Sequence, residues 1–221
     1  MNSKIKKSLQ ALFFWLIMKT NFLIIFFFLF LKFFYPQNED NEIMSELIID
    51  YISAKYPNEQ LNNFIYVGVK RQRLYLFEAN VISKIYKVST SRRGPGNKRS
   101  SKKTPLGLHC VHQKIGANAP VGSLFINKKN TNKIVKIDSI TPNQRRVLMT
   151  TRLITLMGKE DNINKGKGVD SYRRGIYIHG TTNEKSIGQP SSNGCIRMKN
   201  NDIVELFNIV DKQIPVFLFN N

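Results

Sequence analysis

Cysteine, histidine and tryptophan are scarce in this 221-residue chain, which holds two, three and one of them. Two cysteines cannot form the multi-bridge framework that staples small secreted domains. Cys110 and Cys195 are able to pair in an oxidising compartment, but such a pair would silence either thiol as a nucleophile. The histidine shortage also works against a metal centre. If residues 108–112 form a strand, Cys110 and His112 share one face and His109 takes the other. That leaves two ligands where zinc needs three or four, so Cys110 reads as core. Acidic residues are few as well: 15 Asp and Glu stand against 34 Lys and Arg, a formal charge of +19. Such an excess favours an anionic partner, whether membrane headgroups, an acidic wall polymer or nucleic acid. The chain has no arginine-rich helix, zinc-finger spacing or aromatic RNA-binding signature, so nucleic acid is not expected.

Apolar residues are concentrated at the start. Residues 11–18 and 22–31 are nearly all Phe, Leu and Ile, and 33–35 continue them after Lys32. From residue 11 to 35 the run is long enough to cross a hydrocarbon core of about 30 Å as a helix. Lys19 interrupts it, at a cost of roughly 2.5–3.5 kcal/mol if held at mid-membrane. Spanning is therefore expected to begin near Asn21. Lys4, Lys6 and Lys7 precede the run and Glu39, Asp40 and Glu42 follow it. This charge order places the N-terminus in the cytoplasm and the remainder outside. No small-residue cleavage site follows, so a single-pass signal anchor in the cytoplasmic membrane is favoured, with a cleaved and secreted form as the alternative.

Three regions follow. Residues 1–35 are expected to be a basic tail and anchor. Residues 36–62 read as a linker to residue 44 and then a short amphipathic helix over 45–56. Ser45 is its expected N-cap, Pro57 its stop, and Leu47, Ile48, Tyr51 and Ile52 its apolar face. Residues 63–221 read as one mainly β domain. Strands are expected at 64–69, 73–77, 81–88, 108–112, 121–126, 147–157, 175–179 and 214–219. A basic, glycine- and proline-bearing loop fills 89–103, and a second basic stretch, 127–146, reads as either a substrate-facing insertion or a surface excursion. A helix is expected over 201–210, with Asp202 and Glu205 as a capping box and Ile203, Leu206, Phe207 and Val210 as its apolar stripe.

The chemistry gathers between Tyr177 and Met198. His179 ends a strand and Cys195 lies sixteen positions on, with Gly180 and Gly194 beside them and Arg197 two residues further. A thiol attacks only as thiolate, and an imidazole within reach raises that fraction. The histidine needs its second nitrogen held, and no carboxylate stands at an obvious place to hold it. The main-chain carbonyl of Gly180 is one candidate. Gly194 permits close approach to the backbone, and the N–H groups of Gly194 and Cys195 are natural oxyanion donors. Arg197 is suited to a substrate carboxylate or to bracing its own loop. Singly these residues have ordinary readings as a core histidine, a buried small hydrophobe and a surface charge.

His179-Gly180-Thr181 followed by Ser192-Asn193-Gly194-Cys195-Ile196-Arg197-Met198 resembles the signature of the L,D-transpeptidase catalytic domain, the YkuD family. Arg73 to Phe77, Val88 to Thr90 and Thr104 to Gly107 resemble that domain's opening strands and loop, so the likeness covers roughly 63–219. The resemblance implies a β-sandwich or barrel with a short C-terminal helix. It implies Cys195 as nucleophile, His179 as base and the Gly180 carbonyl as its orienter. Ser192, Asn193, Gly194, Arg197 and Tyr177 then form the surrounding substrate and oxyanion residues. Asn193 departs from the histidine most often seen before Gly-Cys. The implied reaction is attack on the L-centre carbonyl of the diamino-acid residue in a peptidoglycan stem tetrapeptide, with release of D-Ala and transfer of the acyl group to an amine. Water as acceptor would make the enzyme an L,D-carboxypeptidase, and a lipoprotein lysine would make it a protein-to-wall attachment enzyme. No metal or organic cofactor is implied, and carbapenems are implied to acylate Cys195. From a different class, a non-catalytic basic wall-binding protein also fits the charge.

Overall fold

Strand-forming residues dominate once the chain passes Asn63, and the structure pairs them into one continuous ladder. In the computed structural model, residues 38–138 and 148–221 are described. The predicted anchor, residues 1–35, lies outside them. Among the described residues, no helix is long and apolar enough to cross a membrane.

The elements run α1 (Asn38–Lys55), β1 (Phe64–Gly68), β2 (Arg73–Glu78), β3 (Val81–Lys87), β4 (Gly107–Ile115), β5 (Ser123–Ile126), β6 (Lys129–Ile134), β7 (Met149–Gly158), β8 (Tyr177–Thr181), a 3₁₀ turn (Glu184–Ser186), β9 (Ile196–Met198), α2 (Asn200–Ile209) and β10 (Pro215–Phe219). The sheet order is β3-β2-β1-β10-β4-β7-β5-β6, and β8 branches from β7 to pair with β9. Two pairs are parallel, β1 with β10 and β8 with β9. The remaining pairs are antiparallel.

Several expectations need correcting. The first helix starts at Asn38, not Ser45. Ser45 is therefore interior, and its hydroxyl donates to the Asn41 carbonyl one turn back instead of capping. Glu39, Asp40 and Glu42 fall in the opening turns, where acidic residues favour a helix start. Leu47 and Tyr51 are exposed while Ile48 and Ile52 are buried, so the apolar face is narrower than expected. The stretch 127–146, for which no element is expected from sequence, contains β6, which pairs with β5 through a turn at Asn127 and Lys128 with positive φ at both. Polar strands of this kind escape an apolar-run search. Asp202 and Glu205 do not cap α2. Its N-cap is Lys199, without a side-chain bond. Glu184 accepts the Asn200 N–H at 2.6 Å, and Glu205 pairs with Lys84 at 2.8 Å.

Residues 49–221 form one compact unit. Alternation on β1 and β10 divides its interior. Ile65, Val67, Val216 and Leu218 join the main apolar core, which also takes Ile203, Leu206 and Phe207 of α2. The opposite face is aromatic: Phe64 stacks on Phe77 at 4.1 Å, and Tyr51 meets Phe219 edge-on at 5.0 Å. Each fully buried side chain of this size contributes roughly 1.5–3 kcal/mol.

β7 carries the irregularity that matters for the site. Thr150 pairs with Gly180 and Leu153 with His179, so Thr151 and Arg152 bulge opposite the step between His179 and Gly180. Thr151 has φ +70, a costly conformation for a β-branched residue. Asn200, the first residue of α2, secures the bulge. Its Oδ1 accepts from the Thr150 and Thr151 hydroxyls, and its Nδ2 donates to the Thr181 carbonyl and to Glu184. Gly180 has no room for a side chain beside this clasp, because a Cβ there would lie 2.5 Å from Asn200 Oδ1. Asn200→Ala strands several buried groups at once. It is expected to lower unfolding free energy by about 3 kcal/mol, checked by urea denaturation against the unaltered chain.

Candidate active site

The parallel pairing of β8 with β9 assembles the site. His179 lies opposite Arg197, with Ile178 opposite Ile196. Alternation turns the two isoleucines into the core and leaves His179 and Arg197 on the other face. Extending the register by one step sets Cys195 beside Tyr177. Sixteen residues of sequence separation thus collapse to neighbouring strands. His179 lies inside β8, not at its end, because the strand begins at Tyr177 and runs on to Thr181.

His179 is buried, and its Nδ1 lies 2.6 Å from the Gly180 carbonyl. A carbonyl only accepts, so Nδ1 carries the proton and Nε2 keeps its lone pair. Burial pushes its pKa down to about 4, against the pull of the Gly180 carbonyl and with help from the Arg197 charge. The imidazole is neutral at physiological pH.

Cys195 is partly exposed and free. Its Sγ donates to the Gly175 carbonyl at 3.2 Å. Among the described residues it makes no hydrogen bond to His179. Burial pushes the thiol pKa up, while the Tyr177 main-chain amide and the charges of Arg197 and Arg174 pull it down. Rotation about the Cα–Cβ bond would be needed to turn the sulfur from Gly175.

The loop around Cys195 is tightly cross-braced. Ser192 is fully buried; its hydroxyl donates to the Cys195 carbonyl at 2.6 Å and accepts the Gly194 N–H at 3.1 Å. The Gly194 amide is thereby occupied, which leaves Cys195 N–H as the expected oxyanion donor. Gly194 has φ +123, a glycine conformation, and its carbonyl accepts from the Thr104 hydroxyl at 3.0 Å. Arg197 spends its guanidinium on Ser191, 3.3 Å to the carbonyl and 3.4 Å to the hydroxyl. Of its two expected uses, bracing the loop is the one seen. Tyr177 is half-buried, and Asn193 is exposed at the edge of a cavity.

Sequence reading missed three residues here. Arg174 donates to the Asn97 carbonyl at 2.8 Å and to the Lys103 carbonyl at 2.6 Å, tying the basic loop to the thiol's surroundings. Thr104 holds Gly194 from ninety residues away. Asn200 braces His179 through the bulge. The signals were the proximity of Arg174 to the motif and the place of Thr104 in the loop that resembles the family's.

The earlier pair His109 and His112 serves elsewhere. His109 is buried between the Gly107 carbonyl at 3.0 Å and the Ser171 hydroxyl at 2.8 Å. His112 sits at the β4 irregularity and meets Tyr172 edge-on at 4.8 Å. Cys110 is buried and free. Among the described residues, no three His, Cys, Asp or Glu side chains converge as metal ligands.

A main-chain-oriented histidine thus lies on the strand paired with the one that Cys195 leads into. The model of the YkuD family, the L,D-transpeptidase catalytic domain, matches residues 62–218, and the chain belongs to that family. Among named relatives, the putative L,D-transpeptidase YkuD of Bacillus subtilis is 61% identical over 33 residues, 15% of this chain and 20% of that protein. The putative L,D-transpeptidase YqjB of the same organism is 50% identical over 44 residues, 20% of this chain and 24% of that protein. The chain thus spans about a fifth to a quarter of the length of the curated relatives it matches. Among solved structures, an L,D-transpeptidase from Mycobacterium tuberculosis is 13% identical, with a TM-score of 0.44 over 72% of this chain and 57% of that one.

His109 and His179 both have pKa values lowered to about 4 by burial. Between that value and the ordinary 6.5 the unfolded chain binds protons that the folded one refuses. Stability therefore rises with pH across this window and is lost as pH falls through it. Urea midpoints measured from pH 7 to pH 4.5 are expected to fall steadily, and His109→Asn to flatten the slope.

Proposed function

We propose that this protein is a peptidoglycan L,D-transpeptidase with Cys195 as nucleophile and His179 as base. The observation that carries this reading is the neutral His179, held through Nδ1 by Gly180, on the strand paired with the one Cys195 leads into. Family membership supports the reaction class.

In the proposed reaction Cys195 turns from the Gly175 carbonyl toward Nε2 of His179, which takes the thiol proton. The thiolate attacks the L-centre carbonyl of the diamino-acid residue in a stem tetrapeptide. Cys195 N–H stabilises the oxyanion. As the tetrahedral centre collapses, the bond to D-Ala breaks and the imidazolium returns the proton to its amine. A thioester remains. An amine from a second stem then attacks it, His179 accepts that proton, and the thiol is restored with a new cross-link. Water in the second step would give a carboxypeptidase, and a lipoprotein lysine would give attachment of that protein to the wall. No step calls on a metal or organic cofactor.

The raised thiol and lowered imidazole pKa values argue against a standing thiolate–imidazolium pair, since each opposes its ionised form. Proton transfer then accompanies attack. The proposed location is the outer face of the cytoplasmic membrane, with residues 1–35 as a single-pass anchor, 36–62 as connecting segment and 63–221 as catalytic domain. The order of charges around the apolar run supports this orientation.

Intact-mass analysis of the full chain in detergent is expected to show a thioester adduct with stem tetrapeptide and an acyl adduct with a carbapenem. Both should vanish in Cys195→Ala, and absence of both in the unaltered chain would overturn the assignment. Alkylation by iodoacetamide is expected to accelerate with pH beyond the ordinary thiol range near 8.5. A flat rate down to pH 6 would reveal an ion pair instead.

A further inference from the structure

A cavity of about 230 Å³ beside the nucleophile's loop is walled by Arg99, Lys102, Arg173 and Arg174, with Ile176 and Asn193 between them. It draws on two loops more than seventy positions apart in sequence. Arg174 clips them together through the Asn97 and Lys103 carbonyls, so its guanidinium is a strut. Arg99, Lys102 and Arg173 have exposed side chains. The ion pairs found among the described residues, Lys84 with Glu205 and Lys165 with Asp161, involve none of these four cations. The acid nearest in sequence, Asp170, accepts main-chain N–H groups, from Arg173 at 2.9 Å and from Gly166 at 3.5 Å. Four like charges around one cavity repel each other unless an anion joins them.

The cavity adjoins the chemistry. Asn193 stands two residues before Cys195, and Gly175, whose carbonyl takes the thiol hydrogen, lies between Arg174 and Ile176. Its volume falls below the ~300–1,000 Å³ typical of drug-sized ligand sites, so an amino-acid-sized acid suits it better than a polymer segment. Guanidinium groups match a carboxylate in two-pronged geometry, Ile176 offers an apolar wall and Asn193 an amide.

We propose that this cavity is an anion subsite seating a free carboxylate of the peptide whose carbonyl reaches Cys195. The inference rests on the acyl-transfer reading above. The subsite selects acidic peptides over amidated ones, and it draws its charge from the loop at 99–102 and from Arg173.

The test is calorimetric titration of the full chain in detergent, carrying Cys195→Ala so that no turnover intervenes. The probes are a synthetic stem tetrapeptide with free carboxylates and the same peptide with every carboxylate amidated. The acid is expected to bind roughly tenfold tighter, and the gap to shrink with added salt. Combining Arg99→Gln, Lys102→Gln and Arg173→Gln should erase the gap without moving the melting temperature. Should the triple variant melt early, Lys102→Gln alone is expected to narrow the gap partway. Equal binding of acid and amide, or a gap untouched by these variants, overturns the subsite. Adduct formation on the chain with Cys195 intact is read separately. A carboxylate-dependent affinity without any adduct keeps the subsite and discards the acyl-transfer reading, whereas an adduct without acid–amide discrimination discards the subsite alone.

Discussion

The amide of Asn200 is the contact on which the site's geometry depends. It accepts two threonine hydroxyls from a bulge in β7 and donates to the carbonyl of Thr181 and to Glu184. A β-branched residue at φ +70 persists only where its surroundings over-determine it, and this clasp supplies the determination. The bulge faces the step from His179 to Gly180. That step fixes the carbonyl which holds the imidazole proton. One buried side chain thus links the start of α2 to the tautomer of the histidine.

Burial acts on the two central groups in a common sense, whereas the neighbouring cations oppose it at the thiol and reinforce it at the imidazole. Desolvation favours the neutral form of each, so neutral thiol and neutral imidazole coexist at rest. Arg197 and Arg174 temper this for the thiol, and both also hydrogen-bond main-chain carbonyls and hydroxyls of the surrounding loops. Fixed cations near a developing anion cost no reorganisation when the reaction begins. Part of the net charge of +19 lines the cavity beside the Cys195 loop.

The two helices among the described residues illustrate why element ends are hard to read locally. Ser45 followed by an acidic residue looks like a helix start, yet the chain is already helical by Asn38. Asp202 and Glu205 look like a capping box, yet the cap comes from Glu184 in a separate turn. A cap is a hydrogen-bond requirement, and any acceptor brought close by the fold satisfies it. β6 was hidden for a related reason. Its residues are mostly polar and exposed, so nothing in their pattern marks a strand, and pairing with β5 alone makes one.

Sequence by itself determined the mainly β class, most strands and the apolar stripe of α2, and it singled out Cys195 and His179 as candidates. Those features live in local periodicity and in residue types that few other roles require. Tertiary structure decided that Ser192 and Arg197 brace the loop, that the Gly194 amide is occupied, and that the resting thiol faces Gly175. It alone joined Arg174 to the basic loop and Thr104 to Gly194. These are contacts across seventy to ninety residues. A hydrogen bond between groups so far apart leaves no trace in spacing, because its partners meet only after the sheet has closed.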